Sequence, residues 1–92
     1  MSFLESNMLE MLKVDLGITT SAYDTRLLQC IAAAKEQIIR EGVSDLNDDS
    51  VSDMNMVLMY ASWTWRRRDS MDGMPRMLRW VLNNRIMSVK AR

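Results

Sequence analysis

The chain has 92 residues, 48% of them hydrophobic and 26% charged, with 12 bases balancing 12 acids. That size and composition give one small domain near the lower limit for a self-sufficient core, and they exclude a disordered chain. Histidine is absent and Cys30 is the only cysteine, which excludes the commonest general base, histidine metal sites, an intrachain disulfide and any cysteine metal cluster.

The elements read in order as four helices punctuated by glycine and proline. Leu4, Met8, Leu12 and Leu16, with Met11 beside them, recur at helical spacing and predict a first helix over residues 2–16, stopped by Gly17 in a left-handed conformation. Ser21 followed by Asp24 resembles a capping box with a shortened acid. The second helix is expected over 22–41, with Tyr23, Leu27, Ile31, Ala34 and Ile38 on its apolar face and Leu28, Cys30 and Ile39 widening it. Ala32–Ala34 offer a close approach to a neighbouring helix, Glu36 and Arg40 form a favourable i,i+4 pair, and Gly42 ends the segment. Residues 43–50 form an acidic, turn-rich loop in which Asp49 or Ser50 caps the third helix. That helix spans 51–68, with Asp53 in its first turn, Arg66, Arg67 and Arg68 in its last, and Met54, Val57, Leu58, Ala61 and Trp65 facing inward. After a loop at 69–73, Pro75 opens a fourth helix over 75–87, with Met74, Met77, Leu78, Val81, Leu82 and Ile86 as its apolar side and a frayed tail at 88–92. The expected fold is all-α, a single domain built as a small bundle of about four helices. Its core is expected to hold Tyr23, Leu27, Ile31, Ile38, Leu58, Trp65, Leu78 and Leu82.

Charge is polarised along the chain. Residues 1–53 carry ten acids and four bases, whereas residues 54–92 carry eight bases and two acids. A neutral total argues against a free-standing nucleic-acid binder, which normally shows a basic excess over the whole domain. The basic half gathers all three tryptophans and most of the arginines between Trp63 and Trp80. Three readings of this segment stand. Trp65 and Trp80 are core anchors beside a solvated helix end, or Trp63 and Arg66–Arg68 sit at a subunit interface, where aromatics and arginines concentrate, or the arginines contact phosphates. Nothing around them resembles a groove-reading helix.

The ten methionines fall mostly on apolar helical positions, as expected of adaptable core filler. Met56, Met59 and Met71 fit that pattern less well and suit a partner-facing surface. Asp45, Asp48, Asp49 and Asp53 lack the ligand alternation and turn glycine of a calcium loop, so the expectation is a solvated or partner-facing loop. No phosphate-cradling loop, nucleophile–base arrangement or metal-ligand set is visible, and neither an enzyme nor a cofactor is expected. No run approaches the roughly 18 apolar residues of a membrane span. The N-terminus carries Glu5 and Glu10 instead of a basic then apolar leader, so no signal peptide is expected, and no membrane partner is expected either.

The order of signals resembles the small head–tail connector, or adaptor, proteins of tailed bacteriophages. The resemblance runs from about Met8 to Arg85. It rests on Leu12-Lys13-Val14-Asp15-Leu16-Gly17-Ile18, on Tyr23-Asp24 with Leu27, Ile31, Ala34 and Ile38, on Trp65-x-x-Arg68-Asp69, and on Pro75 with Val81-Leu82-x-x-Arg85. Trp65 stands where tyrosine is commoner, and Arg66 and Arg67 are additions. The resemblance implies a homo-oligomeric ring of about a dozen copies docked on the portal protein and bridging it to a neck (stopper) or tail-completion protein. By the same resemblance double-stranded DNA is expected to pass non-specifically through the lumen, the chain to reside in the virion after assembly in the host cytoplasm, and no reaction to be catalysed. A ring needs a heterologous interface, which an acidic half and a basic half can supply. The candidate interface residues are Trp63, Arg66, Arg67, Arg68, Arg76, Arg79, Asp45, Asp48 and Asp49. The alternatives are a small helical DNA-binding regulator and an antitoxin-like partner-binding domain.

Overall fold

The computed structural model describes residues 3–67 and 73–91, with side chains from residue 7 onward. Its four helices are α1 (Phe3–Leu16), α2 (Asp24–Glu41), α3 (Val51–Arg67) and α4 (Arg76–Lys90). No strand occurs among the described residues, and no helix is long and apolar enough to cross a membrane. The fold is the expected small all-α bundle. Ser2, Arg68 and the 69–72 part of the predicted loop lie outside the described residues.

Helix ends follow from local chemistry. The Gly17 N–H donates to the Val14 carbonyl and the Ile18 N–H to the Lys13 carbonyl at 2.9 Å, and Gly42 and Val43 repeat the pattern on Ile39 and Ile38. Both are Schellman stops, which require a left-handed residue and therefore glycine. The two glycines have φ of 71° and 132°. Ser50 caps α3, its Oγ accepting the Asp53 N–H at 3.3 Å. The expected Ser21–Asp24 capping box is absent. Asp24 is itself the first residue of α2, behind Tyr23, and its carboxylate goes to Lys13 at 3.0 Å, tying α2 to α1. Pro75 precedes α4 instead of opening it, and its carbonyl accepts the Arg79 N–H. The expected frayed tail is helical through Lys90, because Val89 packs against the core.

α3 is the hub: α1 and α2 pack on it and on each other, and α4 packs on it alone among the stronger contacts. The core comprises Met8, Leu9 and Leu12 from α1, Leu27, Ile31, Ala34 and Ile38 from α2, Met54 to Trp65 from the inner face of α3, and Leu78 and Leu82 from α4. Each fully buried leucine contributes on the order of 1.5–3 kcal/mol. Four expectations are corrected. Tyr23 is 46% exposed and meets Trp65 only edge-on, at 5.8 Å between ring centres, because it sits before the first turn of α2. Trp80 and Met77 point outward, 64% and 63% exposed, because the face of α4 that packs on the core runs through Leu78, Val81, Leu82, Ile86 and Val89 and leaves both beyond its edge. Met56, expected on a partner surface, is buried where α4 covers α3. Ala32 and Ala33 face solvent, so only Ala34 gives close helix approach.

Candidate functional site: a tryptophan–arginine cleft

The end of α3 and the segment entering α4 enclose a cleft of about 580 Å³. Among the described residues Met59, Pro75, Leu78 and the Trp63 indole give it an apolar lining, and Arg66 and Arg67 give it two cations. Ser62 and Asp15 also line it, the Asp15 carboxylate lying beyond ion-pair distance of either arginine. Helical spacing places these groups. Trp63 and Arg67 are four residues apart and share a face, so the Arg67 guanidinium lies over the indole at 4.5 Å from the ring centre, a cation–π contact. The opposite side of the same system is braced by Tyr60, edge-on to Trp63 at 5.5 Å. The indole Nε1–H donates to the Gly73 carbonyl at 3.1 Å and so anchors the entry to α4. Arg66 reaches the other wall, donating from Nη2 to the Asp15 carbonyl at 3.0 Å, in the last turn of α1 where a cation suits the helix dipole.

Each guanidinium keeps donors to spare, since arginine has five N–H groups in a planar fork. Among the described residues no carboxylate lies within ion-pair distance of Arg66 or Arg67. The cleft therefore offers a flat aromatic and apolar floor with two positive forks above it, which suits an acidic side chain or a chain terminus of a partner protein. Burial of the Tyr60 hydroxyl beneath it, reinforced by Glu41, raises the phenol above its ordinary range, with Arg67 and Arg79 pulling weakly the other way.

The remaining candidate interface residues do not join this cleft. Arg68 lies outside the described residues. Arg79 pairs with Glu41 at 3.4 Å, and Asp48 pairs with Lys35 at 3.5 Å. Arg76 is exposed on the first turn of α4, and Asp49 is exposed beside Asn47, whose side chain accepts the Asp49 N–H. Asp45, expected in a solvated or partner-facing loop, is instead half-buried and bound to Arg85 at 3.0 Å. The acidic loop is thus partly neutralised within the chain.

Its key is an ion-pair network that the sequence did not disclose. Asp53, with a side chain only 5% exposed, accepts Arg85 Nε at 2.8 Å and Nη2 at 3.1 Å, and also the Asn47 N–H at 2.9 Å. Arg85 Nη2 reaches the Asp45 carbonyl at 3.2 Å as well. The hydrogen bonds that Arg85 donates to Asp53 hold the guanidinium above its usual range despite the opposing effect of burial. One signal was available: Arg85 shares the inward face of α4 with Leu78 and Leu82, and a charge on an apolar stripe demands a buried partner. No group of side chains among the described residues is arranged to hold a metal ion.

No protein-family model matches the chain, and no curated protein or solved structure matches it either.

Proposed function

We propose that this chain is a structural connector subunit, one copy of a ring that docks on a phage portal and joins the capsid to the neck or tail. The reading draws on the order and spacing of the motifs from Met8 to Arg85. The observation that carries it is the cleft: two arginine forks over an apolar floor, at the end of the central helix, without a carboxylate partner from the described residues. Partner carboxylates docking there gain charge-assisted, two-pronged hydrogen bonds. Protein carboxylates suit the site better than DNA phosphates, because a lumen that grips phosphate adds salt-dependent drag to the passing duplex.

The test is docking onto the portal encoded in the same genome, followed by electron microscopy and light scattering. Arg67→Gln is expected to weaken docking about tenfold, the loss of one charge-assisted contact, with an unchanged helical spectrum. Arg66→Gln is expected to weaken docking and also to lower the melting temperature, since Arg66 tethers α1. Normal particle assembly in the Arg67→Gln variant, with only DNA passage altered, overturns the assignment of the cleft to protein. A monomer or dimer that binds duplex DNA with a steep salt slope supports the regulator alternative, and a one-to-one complex with another protein supports the antitoxin-like one.

A further inference from the structure

Two exposed apolar surfaces lie on different sides of α3, and neither has a function in the fold. The first is the outward face of α4, where Met77, Trp80 and Met87 are each more than 60% exposed at spacings of three and seven residues. That spacing makes one stripe along a helix. It is flanked by Arg76 and Lys90, both exposed, with no carboxylate among the described residues within ion-pair distance. The second is a groove of about 380 Å³ between α1 and the start of α3. Met11, Val51, Asn55 and Leu58 line it, and Asp48 and Asp49 form its rim. Val51 stands 76% exposed at its mouth.

The two surfaces are complementary in kind. One is a convex apolar ridge centred on an indole and edged by cations, and the other is a concave apolar groove edged by carboxylates. They cannot meet within one chain. α4 covers the side of α3 that bears Ser52, Asp53 and Met56, whereas the groove is built on Val51, Met54, Asn55 and Leu58. At about 100° per residue those two sides are roughly 150° apart around the helix. A ridge and a matching groove on nearly opposite sides of one molecule define a heterologous contact, which propagates from copy to copy and closes into a ring or runs on as a filament.

We infer that the Trp80 ridge of α4 seats in the α1–α3 groove of a second copy of this chain, with Arg76 and Lys90 facing Asp48 and Asp49. The inference rests on the ring reading for its setting and supplies the surfaces by which the copies would join. It assigns the α4 ridge to the neighbouring copy and leaves the tryptophan–arginine cleft to the portal. The contact draws mainly on apolar burial, so salt weakens it only modestly.

The experiment is sedimentation velocity on the full chain across a concentration series, with two single variants and their mixture. Trp80→Glu spoils the ridge and keeps the groove, and Val51→Arg spoils the groove and keeps the ridge. Both positions are exposed, and circular dichroism checks the fold, with Asn55→Arg as a second groove variant. The wild type is expected to self-associate, and each single variant to lose at least about thirtyfold in affinity, as for a central hot spot. The equimolar mixture is expected to form a one-to-one heterodimer, because one intact ridge then meets one intact groove. Self-association of Val51→Arg that Trp80→Glu abolishes indicates ridge-to-ridge pairing and overturns the proposal. So does a wild type that stays monomeric, or rings that both variants still form. The last result would leave the connector reading intact, and portal docking by a monomeric wild type would do the same.

Discussion

Removing the Asp53 carboxylate tests the energetic centre of this fold. Asp53→Ala leaves Arg85, whose side chain is 17% exposed, beside α3 without its main partner. Breaking a buried pair by deleting one member costs about 3–5 kcal/mol in a dry interior. Two features reduce that here. Arg85 is not fully sequestered, and it keeps the Asp45 carboxylate at 3.0 Å and the Asp45 carbonyl at 3.2 Å. Against this, Asn47 loses the acceptor of its N–H, worth about 0.5–1.5 kcal/mol. The expected loss is about 2–3 kcal/mol, a substantial part of the stability of a domain this size and about 10–20 °C in melting temperature. Arg85→Met, which trades the charge for an apolar side chain, is expected to cost about as much in the wild-type background, because the buried Asp53 carboxylate then loses its cation. With Asp53→Ala already present it is expected to cost far less, giving a coupling of about 1–2 kcal/mol in a double-mutant cycle. Urea denaturation of the four proteins measures it. A coupling below about 0.5 kcal/mol refutes the view that this pair fastens the acidic loop and α4 onto α3.

Other consequences follow from the same geometry. Tyr60 has its phenol raised above the ordinary value by burial, so the folded state resists ionisation. Its contribution to stability is complete below the unfolded phenol value of about 10 and is lost as pH rises from there through the raised folded value. Tyr60→Phe is therefore expected to flatten alkaline unfolding, with Tyr23→Phe as the background in which tyrosinate absorbance reports Tyr60 alone. Arg85, also raised, keeps its charge across the range where proteins are handled, so melting temperature is expected to show no step from it between pH 6 and about 10. Gly42→Ala is expected to cost about 2–3 kcal/mol, because φ is 132° and an added Cβ meets Ile86 Cγ2 at 3.2 Å. Gly17→Ala, with φ 71° and open space around it, is expected to cost only about 1 kcal/mol, and chemical denaturation separates the two.

Much of the fold was legible because its punctuation is local. Gly17 and Gly42 stop helices by backbone conformation, and Ser50 caps α3 through a bond three residues away, so neither depends on tertiary context. The interior of α3 was legible for a different reason. A helix covered by neighbours on several sides buries a broad face, and Met54, Val57, Leu58, Ala61 and Trp65 all lie within it. On α4 the expected face held at Leu78, Val81, Leu82 and Ile86 and failed at Met77 and Trp80. Periodicity places Met77, Trp80 and Leu78 on an apolar helix but does not say which adjacent stripe faces inward. Tyr23 was misplaced because α2 starts at Asp24, one residue after it.

The candidate site was only partly legible. Trp63, Arg66 and Arg67 do share a cleft, as their spacing on one helix end suggested. The partners that shape it, the carbonyls of Asp15 and Gly73, are backbone atoms from distant segments, and no residue type announces them. The split into an acidic and a basic half was a poor guide to surfaces, because folding brings Asp45 and Asp53 onto Arg85 and Glu41 onto Arg79. What remains polarised is narrower: Arg66 and Arg67 at the cleft, and Arg76 and Lys90 beside Trp80, set apart from Asp49 and the Lys35-paired Asp48 at the groove.

The most direct test of the connector reading is electron microscopy of this chain mixed with the portal protein from the same genome, alongside each protein alone. The account predicts a closed ring of this chain seated on the portal, with an open central channel and the same copy number in every ring. A mixture in which the chain stays as monomers or one-to-one complexes and leaves the portal bare contradicts it.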